Sequence, residues 1–188
     1  MENMPDQKGQ YGHVINCYAS PANLNGRTIL AYHAEYSFAA LRLDNEEVIA
    51  FAVEETCVGT WFEVFAICPY SLPPGFQPKW TTMEAPFPVA ATKLLWREEW
   101  LEAARDTSGL LGAGPHCVQY VAPVGSAPKS QPNVVKVLAG LLLKAQGERT
   151  LVISSSDNAP FKVDLALDQA EIQRIMQFHT CGQAWPMA

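Results

Sequence analysis

Between residues 28 and 69 apolar positions dominate and polar ones come in short clusters, a pattern that predicts consecutive strands of one sheet. Leu41 and Leu43 alternate with Arg42 and Asp44, the cluster Asp44-Asn45-Glu46-Glu47 breaks the run, and residues 48–53 resume it without a charge. This is a hairpin signal. After a second break at residues 54–59, Trp61, Phe65 and Ile67 fall on one face and Phe62, Val64 and Ala66 on the other. A strand with one wet face carries polar residues at every second position, so an apolar pattern on both faces predicts cover on both sides.

Elsewhere the pattern predicts a short strand over residues 11–18 and a loop over 19–26. Prolines at 69, 73, 74, 78, 86 and 88 turn residues 69–88 into a predicted long loop, because proline removes ladder donors and cannot serve a helix interior. A helix is expected over about 89–105, with Trp96 and Trp100 four apart on one face and Glu98, Glu99 and Glu102 on the polar side. Residues 116–122 read as a strand and 123–132 as a second loop. Val134, Val137, Leu138, Leu141 and Leu142 follow helical spacing, with Pro132 before them and Gly147 after. Strands are expected at 149–155 and 161–167 with a turn between. A final helix starts at Asp168, where Glu171 stands at capping-box distance and Ile172, Ile175 and Met176 form the apolar stripe.

The fold class expected from this order is α+β, a largely antiparallel sheet covered by about three helices. Its expected extent is 13–180, between a flexible N-terminus at 1–12 and a C-terminal tail at 181–188.

With 188 residues and 48% hydrophobic content, the chain is long enough for one good core. Nineteen acidic residues against thirteen basic ones give a formal charge of −6, and the basic residues are scattered, which argues against a nucleic-acid partner. The polar start does not resemble a signal peptide, and no run approaches the ~20 apolar residues that span a bilayer. Five cysteines at irregular spacing do not suggest a complete disulfide framework, so a cytoplasmic, reducing setting is expected.

Candidate chemistry changes this picture little. Ser126-Ala-Pro-Lys129 with Ser156-Asp157-Asn158 has the order of the penicillin-binding motifs, but Pro128 precedes the lysine and Lys-Thr-Gly is absent. His116-Cys117 and His179-Thr180-Cys181 lack the spacing of a zinc site, so neither a metal nor a cofactor is expected. Gly109, Gly112 and Gly114 precede a predicted strand rather than a helix, which removes the phosphate-binding geometry.

What remains is surface. The loop at 69–88 carries Tyr70, Phe76, Trp80 and Phe87, and aromatic side chains on loops supply much interface energy. Together with Glu46, Glu47, Glu54 and Glu55 they form the expected partner-binding set, for another protein with basic character. The competing expectation is the same loop folded back as a lid on its own sheet. An inhibitor or immunity-type protein is one concrete form of such a module, since it needs surface complementarity and no catalytic apparatus. The alternatives are an enzyme whose site joins a distant thiol and imidazole, drawn from Cys117 or Cys181 with His33, His116 or His179, and a ligand binder with a pocket lined by Trp61, Trp96 and Trp100.

Overall fold

The computed structural model describes residues 11–15, 24–58, 62–101, 133–156 and 159–182. They form ten strands and one short helix: β1 Tyr11–Ile15, β2 Thr28–Ala34, β3 Phe38–Leu43, β4 Val48–Val58, β5 Phe62–Tyr70, β6 Thr81–Leu101, β7 Asn133–Ala145, β8 Thr150–Ser155, β9 Val163–Ala166, α1 Gln169–Met176 and β10 Thr180–Gly182. All ten strands belong to one sheet of order β5-β4-β3-β2-β6-β7-β8-β9, with β1 against β7 and β10 against β6. Only the β1–β7 pair is parallel; the other pairs are antiparallel.

The sheet bends at β6. Its first part pairs with β2 up to Pro88, and its second part pairs with β7 from Val89 to Leu101. The two halves stack, so that β9 lies across β2, β3 and β4, while β5 lies against β7 and β8. The main core fills the space between them, with Ile29, Leu41, Phe51, Phe87, Leu94, Leu138 and Leu141 fully buried. Each outer face has its own cover. Leu95, Leu142 and Val152 lie under Ile172 and Ile175 of α1, and Phe38, Ala40 and Ala50 lie under Leu72, Phe76 and Trp80 of the 71–80 loop.

The α+β expectation of a sheet covered by about three helices is therefore corrected: the described residues are mostly antiparallel strand, with a single helix of eight residues. The predicted helix at 89–105 is strand β6 as far as Leu101, and 102–105 lie outside the described residues. The predicted helix starting near Val134 is strand β7. For β7 the cause is burial on both faces; in β6 only Leu94, Leu95 and Trp96 are buried in succession, with Lys93 and Glu98 exposed. Residues 137–143 of β7 are all buried, and a continuous apolar run matches helical spacing by default, so periodicity cannot separate the two states. A bulge opposite the Leu95/Trp96 step lets Leu138 and Leu141 both face the inner core while Leu142 faces α1. At that point Gly140 packs so tightly that a Cβ would stand 2.3 Å from the carbonyl oxygen of Ile153.

The predicted loop at 69–88 also changes. Pro69 is the penultimate residue of β5, Pro86 and Pro88 sit inside β6, and only the stretch between Tyr70 and Thr81 lacks strand structure. Pro86 is tolerated because the ladder with β2 is interrupted: Ile29 faces Phe87 and Ala31 faces Thr82, so residues 83–86 bulge out of the pairing, whereas Pro88 stands opposite Thr28. Arg149 covers the bulge, donating to the carbonyls of Ala85 at 2.9 Å and Pro86 at 2.8 Å.

Other expectations match the observed elements. The strands predicted between residues 28 and 69 are β2 to β5, and those predicted at 149–155 and 161–167 are β8 and β9. Asp168 caps α1, its carboxylate accepting from the amides of Ala170 and Glu171. The strand predicted at 116–122 lies outside the described residues.

Candidate functional site

The residues expected to meet a partner are not gathered on one surface. Phe87 is fully buried in the inter-sheet core beneath the Arg149 guanidinium, which stands 5.1 Å from its ring. Phe76 and Trp80 are half-buried and turn inward, onto the outer face of the first half-sheet. Tyr70 stays 37% exposed at the rim, its ring 5.5 Å from that of Phe38. The loop is thus a lid on its own sheet, and small side chains at Ala40, Ala50 and Ala52 leave the room its aromatic rings fill.

His33 fastens this lid. Its ring is 6% exposed and lies among Phe38, Phe76 and Trp80, with centroids 5.3, 6.0 and 6.5 Å away. Nδ1 stands 3.0 Å from the carbonyl oxygen of Lys79 in the loop, and Nε2 stands 3.0 Å from Oε1 of Glu35.

The four glutamates divide between the two ends of the sheet. Glu46 and Glu47 belong to the β3–β4 turn, where Glu46 has a φ of 63°. Hydrogen bonds from Asn45 and Arg27 hold the Glu47 carboxyl below the usual carboxylate range. Glu54 and Glu55 lie on the part of β4 that runs past β3 and pairs only with β5, opposite Ala66 and Phe65.

That overhanging ribbon meets an end face that the sequence reading missed. The β2–β3 turn brings Tyr36, 60% exposed, beside the turn before β9, which carries Phe161, 44% exposed. Two hydrogen bonds bracket Phe161: the Tyr36 hydroxyl donates to the carbonyl of Pro160 at 3.3 Å, and the amide of Val163 donates to the carbonyl of Tyr36 at 2.8 Å. Phe161 is held at a φ of 60°, a left-handed conformation that a bulky side chain rarely adopts. Its ring stands edge-on to Phe65 of β5, 5.2 Å between centroids, with Glu55 paired across from Phe65. Pro160 marks a turn in the sequence, but no local pattern shows that its neighbour projects outward beside Tyr36, 125 residues away in the chain. Val48, Leu167 and Phe178 are also exposed among the described residues, and single exposed apolar residues are ordinary on a protein surface.

Cys68 is buried and its thiol donates to the carbonyl of Ala52, while Cys181 is exposed. His179 is buried at the end of α1 with Nδ1 2.7 Å from the carbonyl of Ile175, one helical turn back. His116 and Cys117 lie outside the described residues, and among those described no group of His, Cys, Asp and Glu is arranged to hold a metal ion. Of the tryptophans expected to line a pocket, Trp96 is buried in the core, Trp61 lies outside the described residues, and the side chain of Trp100 is likewise outside them.

A cleft of about 710 Å³ opens instead where the two halves part, between Tyr32, Thr82 and Glu84 on one side and Glu148, Arg149 and Asp168 on the other. Two of its polar groups already serve the fold, Arg149 on the β6 bulge and Asp168 as the cap of α1. No helix among the described residues is long and apolar enough to cross a membrane. Comparisons with family models, curated proteins and solved structures find no match to this chain, so its function is argued from these surfaces alone.

Proposed function

We propose that this chain is a protein-binding module that engages its partner through the end face built by Tyr36 and Phe161. One observation carries the reading: two turns distant in sequence are hydrogen-bonded together so that both leave a large aromatic side chain in water, one of them on a left-handed backbone. A strained conformation at an exposed aromatic residue costs stability, and such costs concentrate where a surface is shaped for a ligand. Aromatic side chains are enriched among the residues that dominate binding energy.

The charge around the patch describes the partner. Glu55 stands beside it on the β4–β5 ribbon, cross-strand from Phe65, and the whole chain carries a formal charge of −6. A partner surface with an apolar centre and basic side chains at its rim would complement both features. An inhibitor acting by surface complementarity is the concrete form this takes. The lid loop, with Tyr70 at its rim, belongs to the opposite face of the first half-sheet from the inter-sheet core.

A photo-crosslinking amino acid placed at Tyr36 tests the reading in cells of the source organism. A discrete adduct with one protein, absent when the same group replaces the distant, exposed Glu46, supports it. Equal, diffuse labelling from both positions contradicts it.

A further inference from the structure

We infer that residues 71–80 form a pH-sensitive lid, latched by the imidazolium form of His33. The argument is one of donors and acceptors. A backbone carbonyl and an ionised carboxylate can only accept hydrogen bonds, and a neutral imidazole has one donor nitrogen. His33 places Nδ1 at 3.0 Å from the Lys79 carbonyl and Nε2 at 3.0 Å from the Glu35 carboxylate. Both contacts are made at once only by the doubly protonated ring.

The latch joins two parts of the chain 46 residues apart, the end of β2 and the last turn of the loop. Leu72, Phe76 and Trp80 hold the loop by apolar contact with Phe38, Ala40 and Ala50. The titratable and charged groups around the ring are Glu35 from the β2–β3 connection, Arg42 from β3, Tyr70 from β5 by way of Phe38, and Lys79 from the loop itself. The Glu35 carboxylate, 3.0 Å from Nε2, favours the cation. Arg42 acts against it, with its guanidinium carbon 5.7 Å from the Trp80 ring. The carbonyl of Lys79 accepts the bond, while its ammonium also opposes a nearby cation.

The sign follows from proton counting. The closed lid requires the extra proton on His33, so lowering the proton concentration favours the open form. Opening removes the cover from the apolar outer face at Phe38, Ala40 and Ala50 and makes that surface available for contact in mildly alkaline but not mildly acidic solution.

The test is fluorine NMR on the full chain carrying 5-fluorotryptophan, with the Trp80 signal assigned by Trp80→Phe, and nitrogen NMR of the His33 ring alongside. At about pH 6 the ring shows two protonated nitrogens and Trp80 a single buried signal, and by about pH 8.5 the open population rises on the order of tenfold. The Trp80 change shares its midpoint with the His33 ring, and His33→Gln, which keeps only one of the two contacts, removes the pH dependence. Glu35→Gln serves if that variant does not fold: it keeps an acceptor but not the charge, and the lid then opens at lower pH. A Trp80 signal unchanged while His33 titrates overturns the inference. So does a pH response that survives His33→Gln, or one whose midpoint Glu35→Gln leaves in place.

Discussion

The amide of Val163 donates to the carbonyl of Tyr36 at 2.8 Å, a bond that ties the first residue of β9 to the turn between β2 and β3. It joins the last strand of the second half-sheet to the first half-sheet across the mouth of the sandwich. The exposed rings of Tyr36 and Phe161 follow from that bond, since it fixes both turns against each other.

Phe161→Gly separates function from stability at this place. Glycine adopts the observed φ of 60° without strain, which offsets the lost edge contact with Phe65 and the added freedom of the unfolded chain. The expected change in stability is within about 1 kcal/mol, whereas partner affinity falls by tenfold or more, on the order of the loss for an interface anchor. Urea denaturation and a binding titration read the two effects independently. A large loss of stability with unchanged binding would show that the ring serves the fold.

Gly140→Ala is expected to destabilise by at least about 2 kcal/mol, because overpacking beside main-chain atoms cannot be relieved by a rotamer change. The new Cβ would stand 2.3 Å from the carbonyl oxygen of Ile153 and 2.8 Å from Cβ of Ser154, both on the neighbouring strand β8. A shift of the denaturation midpoint checks this. Phe87→Ala, at a fully buried position between the half-sheets, is expected to cost about 3 to 5 kcal/mol in the same assay.

Asp168→Ala leaves the amides of Ala170 and Glu171 without their acceptor, a loss of about 1 kcal/mol. Asp168→Asn retains most of the stability. Equal losses from the two variants would point to charge rather than the hydrogen bonds.

Two carboxyls give the acid limb of the stability curve a definite sign. Asn45 and Arg27 hold Glu47 below the usual carboxylate range, and Arg174 does the same for Glu171. Groups with depressed folded-state values stabilise the fold above their unfolded-state titration, and that contribution is lost as pH falls through the folded-state value. Carboxyl NMR titration should show Glu47 moving upward in Asn45→Ala and Glu171 moving upward in Arg174→Ala. Both glutamates lie at the surface, so the accompanying stability changes are small and fade with added salt.

Sequence pattern revealed the hairpins of the first half and the capped helix because each depends on local chemistry. Asp44-Asn45-Glu46-Glu47 is a turn wherever it occurs, and Asp168 with Glu171 is a helix start on its own terms. It failed for β7, where tertiary cover on both faces removed the alternation that marks a strand, and for β6, where Leu94, Leu95 and Trp96 are buried in succession. The prolines of β6 misled for a related reason: Pro86 sits in a bulge that Arg149 supports from another strand. The candidate surface was least legible. Which loop aromatics turn inward depends on the alanines of β3 and β4, and the meeting of Tyr36 with the turn at Pro160 depends on how the sheet folds over itself.

The most direct test is the affinity of the partner for the Tyr36→Ser, Phe161→Ser double variant, set against a Tyr70→Ser control and measured by calorimetry once crosslinking has identified the partner. Both proteins are first shown to keep the denaturation midpoint of the parent within experimental error. The expected result is a loss of a hundredfold or more in the double variant, about 3 kcal/mol, with the control unchanged. Unchanged affinity in the folded double variant would place the binding surface elsewhere and contradict the central proposal.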